Sequence, residues 1–188
     1  MKVLGIMGSP RIKGNSDLLL DEALKGAQSQ QAEVEKIVVD KLQISPCREY
    51  YGCLKDGNCV IRDDMDGIYP KLLGADVIIV ASPIFFYGLA AQTKALIDRC
   101  QALWARKYVL KQNPPGSARK GVFIAVGATK GEKLFEGSIL TIQYFFQAID
   151  VEYADELLIR GVDARGEIKE HPTALSDALE LGKRLAQR

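Results

Sequence analysis

Five short runs rich in apolar and β-branched residues alternate with helical stretches along this 188-residue chain, and that alternation constrains the fold more than any other feature. The runs are Lys2–Met7, Glu33–Val39, Asp76–Ala81, Gly121–Val126 and Val151–Ile159. Apolar residues at helical spacing fill Asp17–Gln28, Met65–Leu73, Leu89–Arg106, Glu132–Ala148 and Thr173–Gln187. Strict alternation of strand and helix makes the strands parallel, each joined to the next by a helix crossing one face of the sheet. Crossovers are right-handed, which leaves few topologies. The predicted architecture is an α/β three-layer sandwich around a five-stranded parallel sheet in the order 2-1-3-4-5. The second run, EVEKIVV, alternates polar and apolar residues, so one face of that strand is less buried. Ligands bind such sheets beyond the carboxyl ends of the strands, at the switch point between the first and third.

The bulk properties agree. A chain of this length builds one domain, 1–188, with a full core. A formal net charge of +1 argues against a nucleic-acid partner, and no apolar stretch is long enough to span a membrane. Nothing at the N-terminus reads as a signal peptide, because Val3–Met7 runs straight into glycine and polar residues. The expected location is cytoplasmic, and the four cysteines are then free thiols, metal ligands or redox groups rather than structural disulfides.

The topology makes a check possible: the segments after the first, third and fourth strands should all look like ligand loops. After the first comes GSPRIKGNS, Gly8–Ser16, with hydroxyls on Ser9 and Ser16, an amide on Asn15 and a guanidinium on Arg11. It leads into a helix start, where unpaired N–H groups and the helix dipole favour an anion. It is neither a Walker A loop nor a G-x-G-x-x-G fingerprint, so a single terminal phosphate suits it better than a triphosphate or a dinucleotide. The alternative is a plain turn with Asn15 or Ser16 as helix cap. After the third strand comes Ser82-Pro83-Ile84-Phe85-Phe86-Tyr87-Gly88-Leu89. Proline stiffens it, Gly88 permits the turn into the next helix, and aromatic side chains beside backbone amides suit a flat heteroaromatic ring; the alternative makes Phe85 or Phe86 a core plug. After the fourth comes Gly127-Ala128-Thr129-Lys130-Gly131, small and polar enough to lie along the edge of such a ring, or simply a turn.

GSPR-x-x-GNS at 8–16, SP-x-x-x-YG at 82–88 and G-x-x-x-G at 127–131 together resemble the NADPH-dependent FMN reductase and iron–sulfur flavoprotein group of the flavodoxin-like superfamily. The resemblance implies bound FMN. Ser9, Arg11, Asn15 and Ser16 would hold the phosphate. Pro83, Ile84, Phe85, Phe86 and Gly88 would meet the ribityl chain and isoalloxazine, and Thr129, Lys130 and Gly131 the pyrimidine edge. No acid, base or nucleophile constellation surrounds these loops, which fits an enzyme whose cofactor does the chemistry. The implied activity is electron transfer from NAD(P)H through FMN to a small-molecule acceptor such as a quinone, free flavin, azo compound or metal ion. The alternative is an electron carrier of the iron–sulfur flavoprotein type that trades electrons with ferredoxin. A non-catalytic phosphate-binding module is disfavoured, since a phosphate alone needs no aromatic surface.

An insertion at about 45–64 carries Cys47, Cys53 and Cys59. In iron–sulfur flavoproteins this region holds a [4Fe–4S] cluster, which normally takes four thiolates. Here Tyr50 stands where the second cysteine of that pattern would be. Three readings stay open: a relic loop serving as lid or subunit contact, a cluster or zinc site completed by another group, and a redox-active thiol or disulfide role. Cys100, within a helical stretch, reads as a small buried hydrophobe. His171 is assigned no role beyond surface or cap. Part of the apolar stretch Leu134–Ile149, together with Trp104 and Tyr108, could build a subunit interface, and the resemblance implies a homodimer or homotetramer with the flavin pocket partly completed by the neighbour. Lys107–Lys120, with Asn113-Pro114-Pro115-Gly116, reads as a hinge-like loop.

Overall fold

The computed structural model describes residues 1–112 and 118–187. Its sheet contains five parallel strands, β1 Lys2–Met7, β2 Glu33–Val38, β3 Val77–Phe85, β4 Lys120–Gly127 and β5 Glu152–Arg160, in the spatial order β2-β1-β3-β4-β5. The 2-1-3-4-5 order read from the alternation is therefore the observed one. A two-residue strand, Gly88–Leu89, folds back antiparallel on the end of β3.

Two apolar clusters sandwich the sheet. Side chains alternate along each central strand. Val3, Met7, Val77, Ile79, Val122 and Ile124 face α1 (Asn15–Ser29) and α5 (Ala174–Ala186). Leu4, Ile6, Ile78, Val80 and Phe123 face α2 (Met65–Gly74), α3 (Ala91–Arg99) and α4 (Glu136–Ala148). β2 lies at the sheet edge and only Ile37 in it is fully buried, in keeping with its alternating sequence. Among the described residues no helix is long and apolar enough to cross a membrane.

Two elements depart from the sequence reading. The third strand does not stop at Ala81: Ser82 and Pro83 continue it in the parallel ladder with β4, which runs on to Pro83 opposite Val126, and Ile84 and Phe85 continue it by pairing with Leu89 and Gly88. The helical stretch Leu89–Arg106 is broken. α3 ends at Arg99, one turn follows over Gln101–Trp104, and Ala105–Val109 winds as a π turn. Cys100, at the break, is buried. Lys107 lies in the π turn, and the Asn113–Gly116 part of the hinge-like loop lies outside the described residues.

Buried Arg119, just before β4, ties the far end of the sheet together. Its guanidinium donates to the carbonyls of Ala75 (2.8 Å), Ile149 (2.8 Å) and Leu72, which are otherwise loose ends where α2 and α4 finish.

α1 and α5 pack in backbone contact. A Cβ placed on Gly182 would lie 1.8 Å from the Ala23 carbonyl oxygen, and one on Gly26 would lie 2.0 Å from that of Leu179. Alanine is the better helix former by about 1 kcal/mol, but separating two packed helices costs more, about 2–3 kcal/mol. Gly182→Ala should therefore lower stability in urea or thermal unfolding. Gly67→Ala in α2, where nothing lies within 4 Å of the added carbon, should raise it by up to about 1 kcal/mol.

Candidate functional site at the carboxyl edge of the sheet

β1 ends at Met7, and the Gly8 N–H donates to the Ala81 carbonyl on β3 (2.8 Å) before the two chains part. α1 leaves over one face and α3 over the other. Thr93 of α3 closes the junction: its hydroxyl donates to the Gly8 carbonyl at 3.0 Å, and a Cβ on residue 8 would lie 2.0 Å from that oxygen. Only glycine fits there.

The loop that follows is built for an anion. Ser9 is buried, and its hydroxyl oxygen accepts the Arg11 N–H at 3.1 Å, which leaves the Ser9 proton free to donate. Ser16 is buried in the first turn of α1, and Arg11 is exposed beside it. Gly14 stands at the cap position of α1 and no side chain caps the helix's first N–H groups, an open seat for phosphate. Lys13 takes the left-handed conformation at φ 56° and is held there by its N–H donating to Asp17 Oδ2 (2.7 Å). Asp17 is buried and paired with Lys36 on β2, an ion pair that pushes the Lys36 pKa upward against the opposing effect of burial.

Asn15 is placed otherwise than a direct phosphate ligand would be. Its Nδ2 donates to the Ala164 carbonyl (2.9 Å), and its Oδ1 accepts the N–H groups of Gly166 (3.0 Å) and Ile168 (3.2 Å). The side chain is committed to a segment about 150 positions away, and Arg165 from that segment donates to the Ile12 carbonyl (2.6 Å). No local signal in the sequence points to this link.

The aromatic segment forms a tight hairpin. Ile84 pairs with Leu89 and Phe85 with Gly88, so Phe86 and Tyr87 are the two turn residues, at φ 49° and 63°. The left-handed residues are thus Phe86 and Tyr87 rather than Gly88, the residue expected to ease the turn. Neither Phe85 nor Phe86 is a core plug: Phe85 is 45% exposed and Phe86 fully exposed. Pro83 and Ile84 are half-buried below them. Tyr87 reaches the third loop, where a Cβ on Gly131 would lie 2.5 Å from its hydroxyl. That loop is held in turn by the end of β5. The Gly161 N–H donates to Thr129 O (3.3 Å), Lys130 lies along Gly161, and Arg160 packs over the Phe135 ring while donating to Glu132 O (3.1 Å). The three expected loops therefore gather at one edge, with Thr93, Tyr87 and Arg160 as added members.

The cysteine insertion lies elsewhere, beside the end of α3. Cys47, Cys53 and Cys59 are half-buried free thiols lining a cavity of about 400 Å³ with Tyr50, Tyr51, Val60 and Ile61. Burial, with the neighbouring Cys59, pushes the Cys53 thiol pKa up. Among the described residues no three Cys, His, Asp or Glu side chains gather closely enough to hold a metal ion. Tyr50, in the place of the pattern's second cysteine, is exposed. These residues do not fit a [4Fe–4S] cluster.

Two arginines hold the insertion instead. Arg99, its side chain fully buried, donates to Ser45 O (2.9 Å), Asp63 Oδ2 (2.5 Å) and Ile61 O (3.1 Å) at the neck. Arg106 donates to Gly57 O (2.8 Å) and Asn58 Oδ1 (2.9 Å) at the tip. Burial raises the Asp63 pKa, but the hydrogen bond from Arg99 and those from the Ser45 and Met65 N–H groups outweigh it, so the carboxyl titrates below its ordinary value. A depressed carboxyl pKa stabilises above its unfolded value near 4, and the gain is lost as pH falls through the folded value. Asp63→Asn should cost about 3 kcal/mol at neutral pH, because it strands the buried Arg99 charge. In unfolding titrations the gap between wild type and variant should close below about pH 4.

A family profile described as NADPH-dependent FMN reductase matches residues 1–151. The chain is similar to an iron–sulfur flavoprotein of Methanocaldococcus jannaschii, 37% identical over 194 residues that span 100% of this chain and 96% of that one. An iron–sulfur flavoprotein of Archaeoglobus fulgidus is 39% identical over 141 residues, 74% of this chain and 69% of that one. In fold it resembles the NAD(P)H:quinone oxidoreductase from Methanothermobacter marburgensis, with a TM-score of 0.74 at 17% identity over 100% of this chain and 97% of that one. With the match covering residues 1–151 and the M. jannaschii protein aligned end to end, the chain belongs to the NADPH-dependent FMN reductase family.

Proposed function

We propose that this FMN-dependent oxidoreductase moves electrons from NAD(P)H to a small flat acceptor, such as a quinone, free flavin or azo compound, or to a metal ion, at the edge where the three loops meet. The observation that carries the reading is the mutual contact of those loops, Thr93 with Gly8 and Tyr87 with Gly131. FMN, when bound, would supply the redox chemistry, that of a hydride acceptor and electron donor. The chain's part is to bind and orient. Ser9, Arg11 and Ser16, with the open N–H groups of α1, hold the phosphate. Asn15 shapes that loop from behind. Pro83, Ile84, Phe85, Phe86 and Gly88 flank the ribityl chain and ring. Thr129, Lys130 and Gly131 would meet the pyrimidine edge, where a cation would favour the charge that reduction brings.

The exposed Phe85 and Phe86 offer apolar surface to a flat acceptor. Leu140 and Tyr144 on the outer side of α4, with Trp104 and Tyr108, form a second exposed apolar patch suited to another copy in a homodimer or homotetramer. Exchange with ferredoxin is the second reading. It draws on the relatives named iron–sulfur flavoproteins, but the cysteine geometry here does not favour it.

Purified protein should bind FMN and oxidise NAD(P)H with a quinone as acceptor; a chain that binds no FMN overturns the reading. Arg11→Ala should weaken FMN about 10- to 100-fold, as expected for a charge-assisted hydrogen bond. Riboflavin, which lacks the phosphate, should bind the variant as it binds wild type.

A further inference from the structure

Of the residues that brace the phosphate loop, those of segment 163–168 lie beyond the stretch matched by the family profile, which ends at residue 151. We infer that Glu167 is a positioning residue for the FMN phosphate, acting through the segment 163–168 and Asn15; the inference rests on the phosphate seat proposed above.

Glu167 Oε2 accepts the N–H groups of both Asp163 and Ala164, each at 2.7 Å, and so closes the segment into a tight loop. The loop turns at Gly166, in the left-handed region at φ 83°. In this closed form Ala164 O, Gly166 N–H and Ile168 N–H all converge on the Asn15 amide. Arg165 reaches Ile12 O from the same loop. Ile12 and Asn15 bracket Lys13 and Gly14, the tip of the phosphate loop, where Lys13 is held left-handed. A non-glycine residue keeps such a conformation only when its surroundings over-determine it. The clamp from 163–168 on one side and Asp17 on the other does so. With the tip fixed, the uncapped N–H groups at the start of α1 are in place before any phosphate arrives, and binding need not spend energy on ordering them.

The sign of the effect separates this role from simple electrostatics. Removing an acidic side chain near a phosphate should tighten FMN binding if charge alone matters. Loss of positioning should weaken it.

The test compares Glu167→Ala, Glu167→Gln and wild type in dissociation constants for FMN and riboflavin, read by flavin fluorescence on the full chain. Both variants lose the same charge, but glutamine keeps a carbonyl oxygen to accept the two N–H groups. The expected result is FMN binding about 10-fold weaker in Glu167→Ala, most of it regained in Glu167→Gln, with riboflavin changed less than about twofold in either. Asn15→Ala should weaken FMN as well, and the double variant by less than the product of the two, since both act through one contact. FMN binding by Glu167→Ala that is unchanged or tighter overturns the inference while leaving the phosphate seat intact, and equal loss of FMN and riboflavin overturns it as mere loosening. Wild-type protein that binds riboflavin as tightly as FMN overturns the phosphate seat itself, and the inference with it.

Discussion

The site depends on one parting of chains. β1 and β3 run side by side until the Gly8 N–H meets the Ala81 carbonyl, after which one chain rises to α1 and the other goes on to the hairpin and α3. Parallel strands with right-handed crossovers force this divergence wherever neighbouring connections go to opposite faces. The crevice that results has backbone N–H groups on one wall and the ends of strands on the other. Thr93 fills the bottom so closely that residue 8 has no room for a side chain.

The loops above the crevice are held mostly from outside themselves. The phosphate loop leans on Asp17 and Lys36 from α1 and β2 and on the segment after β5. The loop after β4 leans on Arg160 and Gly161. The hairpin turn has two consecutive left-handed residues, neither a glycine, at a cost of about 1–2 kcal/mol each. Strain of this kind persists where surrounding contacts impose it, and it commonly marks a binding surface. Here the pairing of Phe85 with Gly88 and the seating of Tyr87 against Gly131 impose it, and Phe86 is left standing in solvent.

The cysteine insertion shows how a shared architecture can be held by different chemistry. Relatives of this chain bear the name iron–sulfur flavoprotein. In this chain the three thiols of the insertion line one cavity without a geometry that would hold a metal ion, and its neck and tip are tied by Arg99 and Arg106 to backbone carbonyls, to Asn58 and to the Asp63 carboxylate. A buried arginine held through its two terminal nitrogens by carbonyls and one carboxylate closes a loop without a metal, at the cost of making the loop depend on that carboxylate's charge.

The alternation of apolar runs and helical stretches was enough to read the layers, the strand order and the edge at which the three loops meet, because burial on both faces dictates composition strand by strand. The residue types in those loops were equally legible: Gly8, Ser9, Arg11 and the aromatic triplet announce their chemistry locally. What each side chain faces was not. Asn15 reads as a phosphate ligand, yet it bonds Ala164, Gly166 and Ile168; Phe86 reads as a possible core residue, yet it is fully exposed. The extension of β3 depends on its pairing with β4 as far as Pro83 and with Gly88–Leu89 through Phe85, and the break at Arg99 falls where that side chain is committed to the insertion. Composition and periodicity record how much of a residue is buried. Only tertiary packing decides against what, since those partners are brought close by the closing of the sheet and not by their place in the chain.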